Sequence, residues 1–336
     1  MFEQGNTLEE EKWEMNTKLF SKTTKMLGAV MLSLVLVLSG CASGEPQTNQ
    51  ASGDPAEKIQ IVTTIGQIAE PITVIGGDRV EVQSLMGPGV DPHLYNATQG
   101  DIQKLQGSDV VFYSGLHLEG NMTEIFEQIG KNKPVLAIAD AIPKDQLLED
   151  EGKAIDPHVW FDIDLWKLAL DSAVEELNAF SPDDAEYFEQ NKRDYFAKLD
   201  ELKAEAKDKI SQIPEAQRVI VTAHDAFGYF GRMHGMEVVG LQGLSTEDEI
   251  GLSDINGTID TLLEHNIPAV FIESSINPAS INAVIEGAAK KGLNVKLGGE
   301  LFSDAMGEAG TTEGTYIGMY RHNVETIYHA LTGSGE

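Results

Sequence analysis

Short runs of β-branched and apolar residues alternate along this chain with segments whose apolar positions recur every three or four residues. The runs at 59–64, 80–85, 110–113 and 135–138 have strand composition. Between them, 66–75, 98–105 and 122–129 carry the helical period. The alternation returns further on, with strand-like runs at 218–222, 237–239, 269–272 and 294–297 and helical stretches at 226–233, 254–264, 279–290 and 315–331. Strand–helix alternation of this kind builds a parallel sheet covered on both faces. The expected fold class is α/β, with two similar lobes, each a mostly parallel four-stranded sheet flanked by helices.

The longest helical pattern lies between the two sets. Ser181-Pro182-Asp183-Asp184 offers an N-cap hydroxyl, a first-turn proline and acids suited to the helix dipole. Apolar residues follow at Phe188, Tyr195, Leu199, Leu202, Ala206, Ile210 and Ile213, and Pro214 ends the run. About 32 residues at 1.5 Å rise make a rod of roughly 48 Å. One long rigid α-helix joining the lobes is a poor wide hinge, so limited domain motion is expected. The expected division is 58–180 for the N-terminal lobe, 181–213 for the linking helix and 214–336 for the C-terminal lobe.

The beginning of the chain breaks this pattern. Lys18, Lys22 and Lys25 precede an apolar run at 26–38, which meets Leu38-Ser39-Gly40-Cys41. A positive flank, about a dozen apolar residues and small residues at a cut describe an export signal, too short for a comfortable membrane span. Cys41 is the only cysteine, so the chain has no internal disulfide and its fold stands on its core. Leu-Ser-Gly-Cys resembles the lipobox of bacterial lipoproteins, which implies removal of residues 1–40 and a lipid on Cys41. Residues 1–14 are acidic, unusual ahead of a signal, and leave Met15 as an alternative start to Met1. Residues 41–57, rich in Ser, Gly, Pro, Gln and Asn, then read as a lipidated Cys and a flexible tether reaching roughly 20–25 Å.

Charge narrows the choice of partners. Lys and Arg number 24 against 54 Asp and Glu, a formal charge of −30. Such a body repels nucleic acid and anionic lipid and attracts small cations, although the same charge also serves solubility.

Candidate chemistry centres on a tripeptide used twice, Asp91-Pro92-His93 and Asp156-Pro157-His158, followed by Thr222-Ala223-His224-Asp225. Only eight histidines occur in the chain, and two share one local frame. Neutral imidazole binds divalent transition metals when its ring is held at a fixed angle, and a preceding proline stiffens the backbone that aims it. His93 follows the strand at 80–85, His224 follows that at 218–222, and Asp304 follows the strand ending at Leu297. His158 lies in an irregular stretch closing the first lobe. Open α/β sheets bind ligands beyond the carboxyl ends of their strands, so an ion clamped between lobes, two donors from each, is expected.

Three imidazoles and one carboxylate carry −1 without metal and +1 with a divalent ion, a charge that a buried site tolerates. Asp304 binding through both oxygens would raise the coordination number to five. Asp91, Asp156 and Asp225 either orient ring N–H groups or serve turn chemistry beside proline. Asp225, Glu247 and Glu273 compete with Asp304 as the carboxylate ligand. His117, His234, His265, His322 and His329 fall on expected helices or their ends and are assigned to structure or surface.

Four segments together carry a family resemblance: Pro88-Gly89-Val90-Asp91-Pro92-His93 with Tyr95 and Thr98, Asp156-Pro157-His158-Val159-Trp160-Phe161-Asp162, Thr222-Ala223-His224-Asp225-Ala226-Phe227-Gly228-Tyr229-Phe230, and Gly299-Glu300-Leu301-Phe302-Ser303-Asp304 with Gly314-Thr315-Tyr316-Ile317 and Arg321-His322-Asn323. The chain resembles the metal-binding lipoproteins of manganese, zinc and iron ABC importers over nearly all of its length beyond the tether. The resemblance implies two α/β lobes joined by a long helix and a metal between them. It places the ligands at His93, His158, His224 and Asp304, where some members have Glu at the third position.

It also implies a lipid-anchored solute-binding protein on the extracytoplasmic face of the membrane, a monomer that passes its ion to a permease driven by an ATPase. Dedicated zinc members often carry a long His-rich loop in the first lobe. Residues 117–158 hold none, which favours manganese, with zinc or iron as the other cargoes. The Irving–Williams order works the other way, because three nitrogens and one oxygen hold zinc more tightly than manganese.

Two further readings differ in class. An exported zinc-dependent hydrolase would need an open coordination position, and the chain has no His-Glu-x-x-His helix or nucleophile elbow. A surface adhesin with a structural metal would unfold when stripped of it. The expected protein is not an enzyme.

Overall fold

The computed structural model describes residues 57–150, 152–247 and 249–334. The leader, Cys41 and the tether to Ala56 lie outside the described residues. The first lobe runs β1 (Ile59–Thr63), α1 (Gly66–Gly76), β2 (Val80–Ser84), α2 (Gln99–Gly107), β3 (Val110–Tyr113), α3 (Thr123–Ile129) and β4 (Val135–Ala137). Its four strands form one sheet, ordered β2-β1-β3-β4 and parallel throughout. The central strands are almost wholly buried, as expected where helices cover both faces of a parallel sheet.

Two helices follow, α4 (Ile163–Phe180) and α5 (Ala185–Ser211), and then β5 (Val219–His224), α6 (Gly228–His234), β6 (Glu237–Gln242), α7 (Leu252–His265), β7 (Ala269–Glu273), α8 (Ala279–Lys290), β8 (Lys296–Leu301) and α9 (Tyr316–Thr332). The strand–helix alternation expected for the second lobe is present. Its sheet differs from the expected four-stranded unit, because the strands form two parallel pairs, β5-β6 and β7-β8. At the seam between the pairs, the His224 N–H donates to the Glu273 carboxylate at 2.8 Å, so a side chain occupies a position that a ladder would give to a carbonyl.

Three local differences have physical causes. α4 is an addition to the expected elements: Ile163, Trp166, Ala169, Leu170, Ala173, Val174 and Leu177 form its buried stripe. The Asp162 carboxylate caps it, accepting from the N–H groups of Asp164 at 3.1 Å and Leu165 at 3.3 Å. α5 is shorter than its pattern, 27 residues preceded by the 3-10 turn Pro182–Asp184. The Ser181 hydroxyl donates to the Asp184 carboxylate at 2.8 Å instead of capping the backbone. β8 runs beyond Leu297 through Gly298 and Gly299, which strand propensity disfavours. A Cβ at Gly298 would stand 2.7 Å from Phe271 and 2.9 Å from Ala330, so glycine is needed for the close approach of strand and helix.

α5 packs against α1, α4 and α9 and so touches both lobes. Alongside it runs an aromatic seam. Trp160, Phe161, Trp166, Phe227, Phe230, Tyr316 and Tyr320 are all fully buried, with Phe161 and Phe227 stacked at 4.6 Å between ring centres. No helix among the described residues is long and apolar enough to cross a membrane.

Candidate metal centre

The repeated tripeptide is a repeated turn. In both copies the aspartate accepts a hydrogen bond from the backbone N–H of the histidine two residues on, at 2.9 Å. The copies then diverge. Asp156 Oδ1 also lies 2.7 Å from Nδ1 of the His158 ring, fixing its tautomer and tilt. Asp91 turns its other oxygen to the Thr246 hydroxyl at 2.6 Å, in the loop after β6, and leaves the His93 ring to its backbone anchors. One of these is the Asn121 amide, which donates to the His93 carbonyl at 3.3 Å.

His224 is the last residue of β5, and Asp304 stands three residues beyond β8. Glu273, at the end of β7, holds His224 at two points: one carboxylate oxygen takes the backbone N–H, and the other lies 2.6 Å from ring Nδ1. Ser303, beside Asp304, is fixed through its carbonyl, which accepts from Gln67 at 3.1 Å and from the Trp160 indole at 3.2 Å.

With His158 Nδ1 at Asp156 and His224 Nδ1 beside Glu273, the Nε2 atoms converge. His158 Nε2 lies 3.3 Å from His93 Nε2 and 3.4 Å from His224 Nε2. The Asp304 oxygens lie 3.3 Å from His158 Nε2, 3.3 Å from His224 Nε2 and 3.8 Å from His93 Nε2. Donors bound at about 2.0–2.1 Å in a tetrahedron stand about 3.3–3.4 Å apart, so the gap between these atoms has the size of a transition-metal ion. All four side chains are buried, with exposures of 4 % or less. Both Asp304 oxygens are enclosed without a hydrogen-bond donor, a costly state for a carboxylate unless a cation serves it.

The electrostatics are strongly coupled. Burial works against charge on His158, but the neighbouring Asp156 and Asp304 carboxylates outweigh burial and lift the ring to about 9. Burial likewise opposes charge on His224, and the Glu273 and Asp304 carboxylates carry it well above its usual range. Burial would raise Asp304; the imidazoles of His224 and His158 hold it well below the carboxylate range. His93, buried without a carboxylate at Nδ1, is pushed down to about 4. A protonated cluster balances the carboxylate, and a divalent ion can replace those protons.

The structure brings together all four expected residues, His93, His158, His224 and Asp304, the one set among the described residues whose donor atoms lie within 4.8 Å of one another. Asp225 and Glu247 are not in the set. The orienting role expected for Asp225 at His224 is filled by Glu273, which sequence placed only as a rival ligand. Its one local signal is an acid closing an apolar strand. His234 is structural as expected, its Nε2 lying 2.9 Å from the Tyr320 hydroxyl.

His158 follows the first lobe in sequence, and its segment is also tied to the second. Tyr229 donates to the Asp156 carbonyl at 2.9 Å, Tyr316 to that of Trp160 at 2.6 Å and Tyr320 to that of Phe161 at 3.2 Å. The segment thus touches both lobes, because from Asp162 it runs on into α4, which packs against α1 of the first.

Comparison with known proteins places this geometry. The family model described as the periplasmic component A of the zinc-uptake complex matches residues 61–330. The manganese-binding lipoprotein MntA of Bacillus subtilis is 50% identical over 306 residues, covering 91% of this chain and 98% of that protein. The zinc-binding protein TroA of Treponema pallidum is 45% identical over 271 residues, covering 81% and 88%. A solved structure of the Treponema pallidum protein aligns with a TM-score of 0.80 over 82% of this chain and 99% of its own. Iron(III)-bound YtgA from Chlamydia trachomatis aligns at 0.73 with 26% identity, over 82% and 98%.

Proposed function

The chain belongs to the family of the periplasmic zinc-uptake component A, and from that premise we propose that His93, His158, His224 and Asp304 hold its cargo, a divalent transition metal, between the lobes. Proteins of this family are the binding components of metal ABC importers, and they capture and deliver without catalysis. The observation that carries the ligand assignment is the enclosed Asp304 carboxylate, facing three Nε2 atoms at 3.3–3.8 Å with no hydrogen-bond donor of its own. The hydrolase reading gains no support, since the relatives are transport proteins.

Manganese is the favoured cargo, with zinc and iron as alternatives. The absence of a His-rich stretch at 117–158 and the 50% identity to a relative named for manganese support that choice. The 45% identity to one named for zinc, and a donor set that binds zinc more tightly, weigh against it. Availability, not affinity, then selects the metal. The protein is anchored by lipid on Cys41 at the extracytoplasmic face and acts as a monomer delivering to a permease and its ATPase.

Metal titration by calorimetry tests the assignment. Wild type should bind one ion, and alanine at any one of the four positions should weaken binding at least tenfold. Unchanged affinity in any three variants would defeat it. Elemental analysis of protein taken from its native membrane identifies the cargo, with manganese as the expected result.

A further inference from the structure

The helix turn just beyond His224 reaches back to the other ring. Tyr229, in the first turn of α6, accepts from the Leu148 N–H at 3.0 Å and donates to the Asp156 carbonyl at 2.9 Å. Beside it, a Cβ added at Gly228 would stand 2.8 Å from Asp156 Oδ2 and 3.4 Å from Leu148 Cδ1. Gly228 has none of the left-handed backbone that demands glycine elsewhere in the chain. Its missing side chain therefore answers to clearance, and what it clears is the carboxylate whose Oδ1 holds both the backbone N–H and the ring Nδ1 of His158. A carboxylate pushed aside at Oδ2 turns at Oδ1 as well. The imidazole it grips would turn with it, and Nε2 would swing off the point that His224 and Asp304 share.

We propose that Gly228 and Tyr229 are positioning residues of the metal centre: they fix Asp156, and through it the His158 ring, so that the segment carrying His224 aims both imidazoles. The inference rests on the four-ligand reading above. It gives the second lobe one continuous device, from His224 through Gly228 and Tyr229 to Asp156 and His158. It also explains how a ligand from the front half of the sequence stays in register with two from the back half.

The test measures Zn²⁺ affinity by competition with a chromophoric chelator and records the visible spectrum of the Co²⁺-loaded protein. Gly228→Ala and Asp156→Ala should each lose roughly 10–100-fold in Zn²⁺ affinity, and each should change the Co²⁺ bands. Tyr229→Phe, which removes only a hydroxyl, should shift both readouts in the same direction by less. The double variant Gly228→Ala with Asp156→Ala should bind no more weakly than Asp156→Ala alone, because the glycine acts through that carboxylate. A Gly228→Ala loss that persists in full without Asp156 would overturn the proposal. So would wild-type affinity and spectrum in both Gly228→Ala and Tyr229→Phe. Should Gly228→Ala not fold, the Tyr229→Phe arm decides alone. Wild-type affinity in His158→Ala would instead refute the ligand assignment itself.

Discussion

At the scale of single residues, the centre is a set of rings whose protons a metal must displace. His158 is lifted to about 9 and His224 is also raised, whereas His93 is pushed down to about 4. At neutral pH the first two carry protons without metal, and the third does not. Loading at pH 7 should therefore release protons, and affinity should rise with pH as His158, whose ring is lifted to about 9, loses its proton. Calorimetry in two buffers of different ionisation enthalpy reads the release directly; identical heats in both would contradict it.

The Glu273 carboxylate orients His224, and Glu273→Gln should cost about 10–100-fold in metal affinity while the protein stays folded, checked by the same titration with circular dichroism. His93 and His158 were legible because their frame is local: an aspartate, a proline and a ring within three residues. Glu273 was not, because its role arises across a strand seam, and nothing in a chain with 54 acids marks which one lies opposite His224.

At the scale of elements, the strands and most helices followed from period and composition, and the differences come from tertiary packing. β8 continues through Gly298 because Phe271 and Ala330 close in on it, a constraint supplied by another strand and the last helix. Gly298→Ala should cost about 1–3 kcal/mol of stability through overpacking, measured by urea unfolding of the metal-free protein. α4 begins where Asp162 caps it, and Asp162→Ala should cost about 1 kcal/mol in the same assay. Its stripe belongs to a helix whose position, against α1 and α5, no local pattern announces. Order along the chain places His158 at the close of the first lobe, and the bonds from Tyr229, Tyr316 and Tyr320 that tie its segment to the second as well are not visible in that order.

At the scale of the whole molecule, a continuous aromatic seam and a helix packed on both lobes resist wide opening. Metal binding should leave the radius of gyration unchanged in small-angle scattering, with altered amide exchange concentrated around the metal centre. A formal charge of −30 surrounds a buried site that needs a cation, so capture should slow as salt screens the field. The account as a whole depends on four side chains meeting at one ion. The most direct measurement is an anomalous-scattering map of the metal-loaded crystal, collected at the absorption edge of the bound metal. One strong peak is predicted, about 2.0–2.3 Å from Nε2 of His93, His158 and His224 and from the Asp304 carboxylate. A peak elsewhere, or none in protein shown to contain metal, would contradict it.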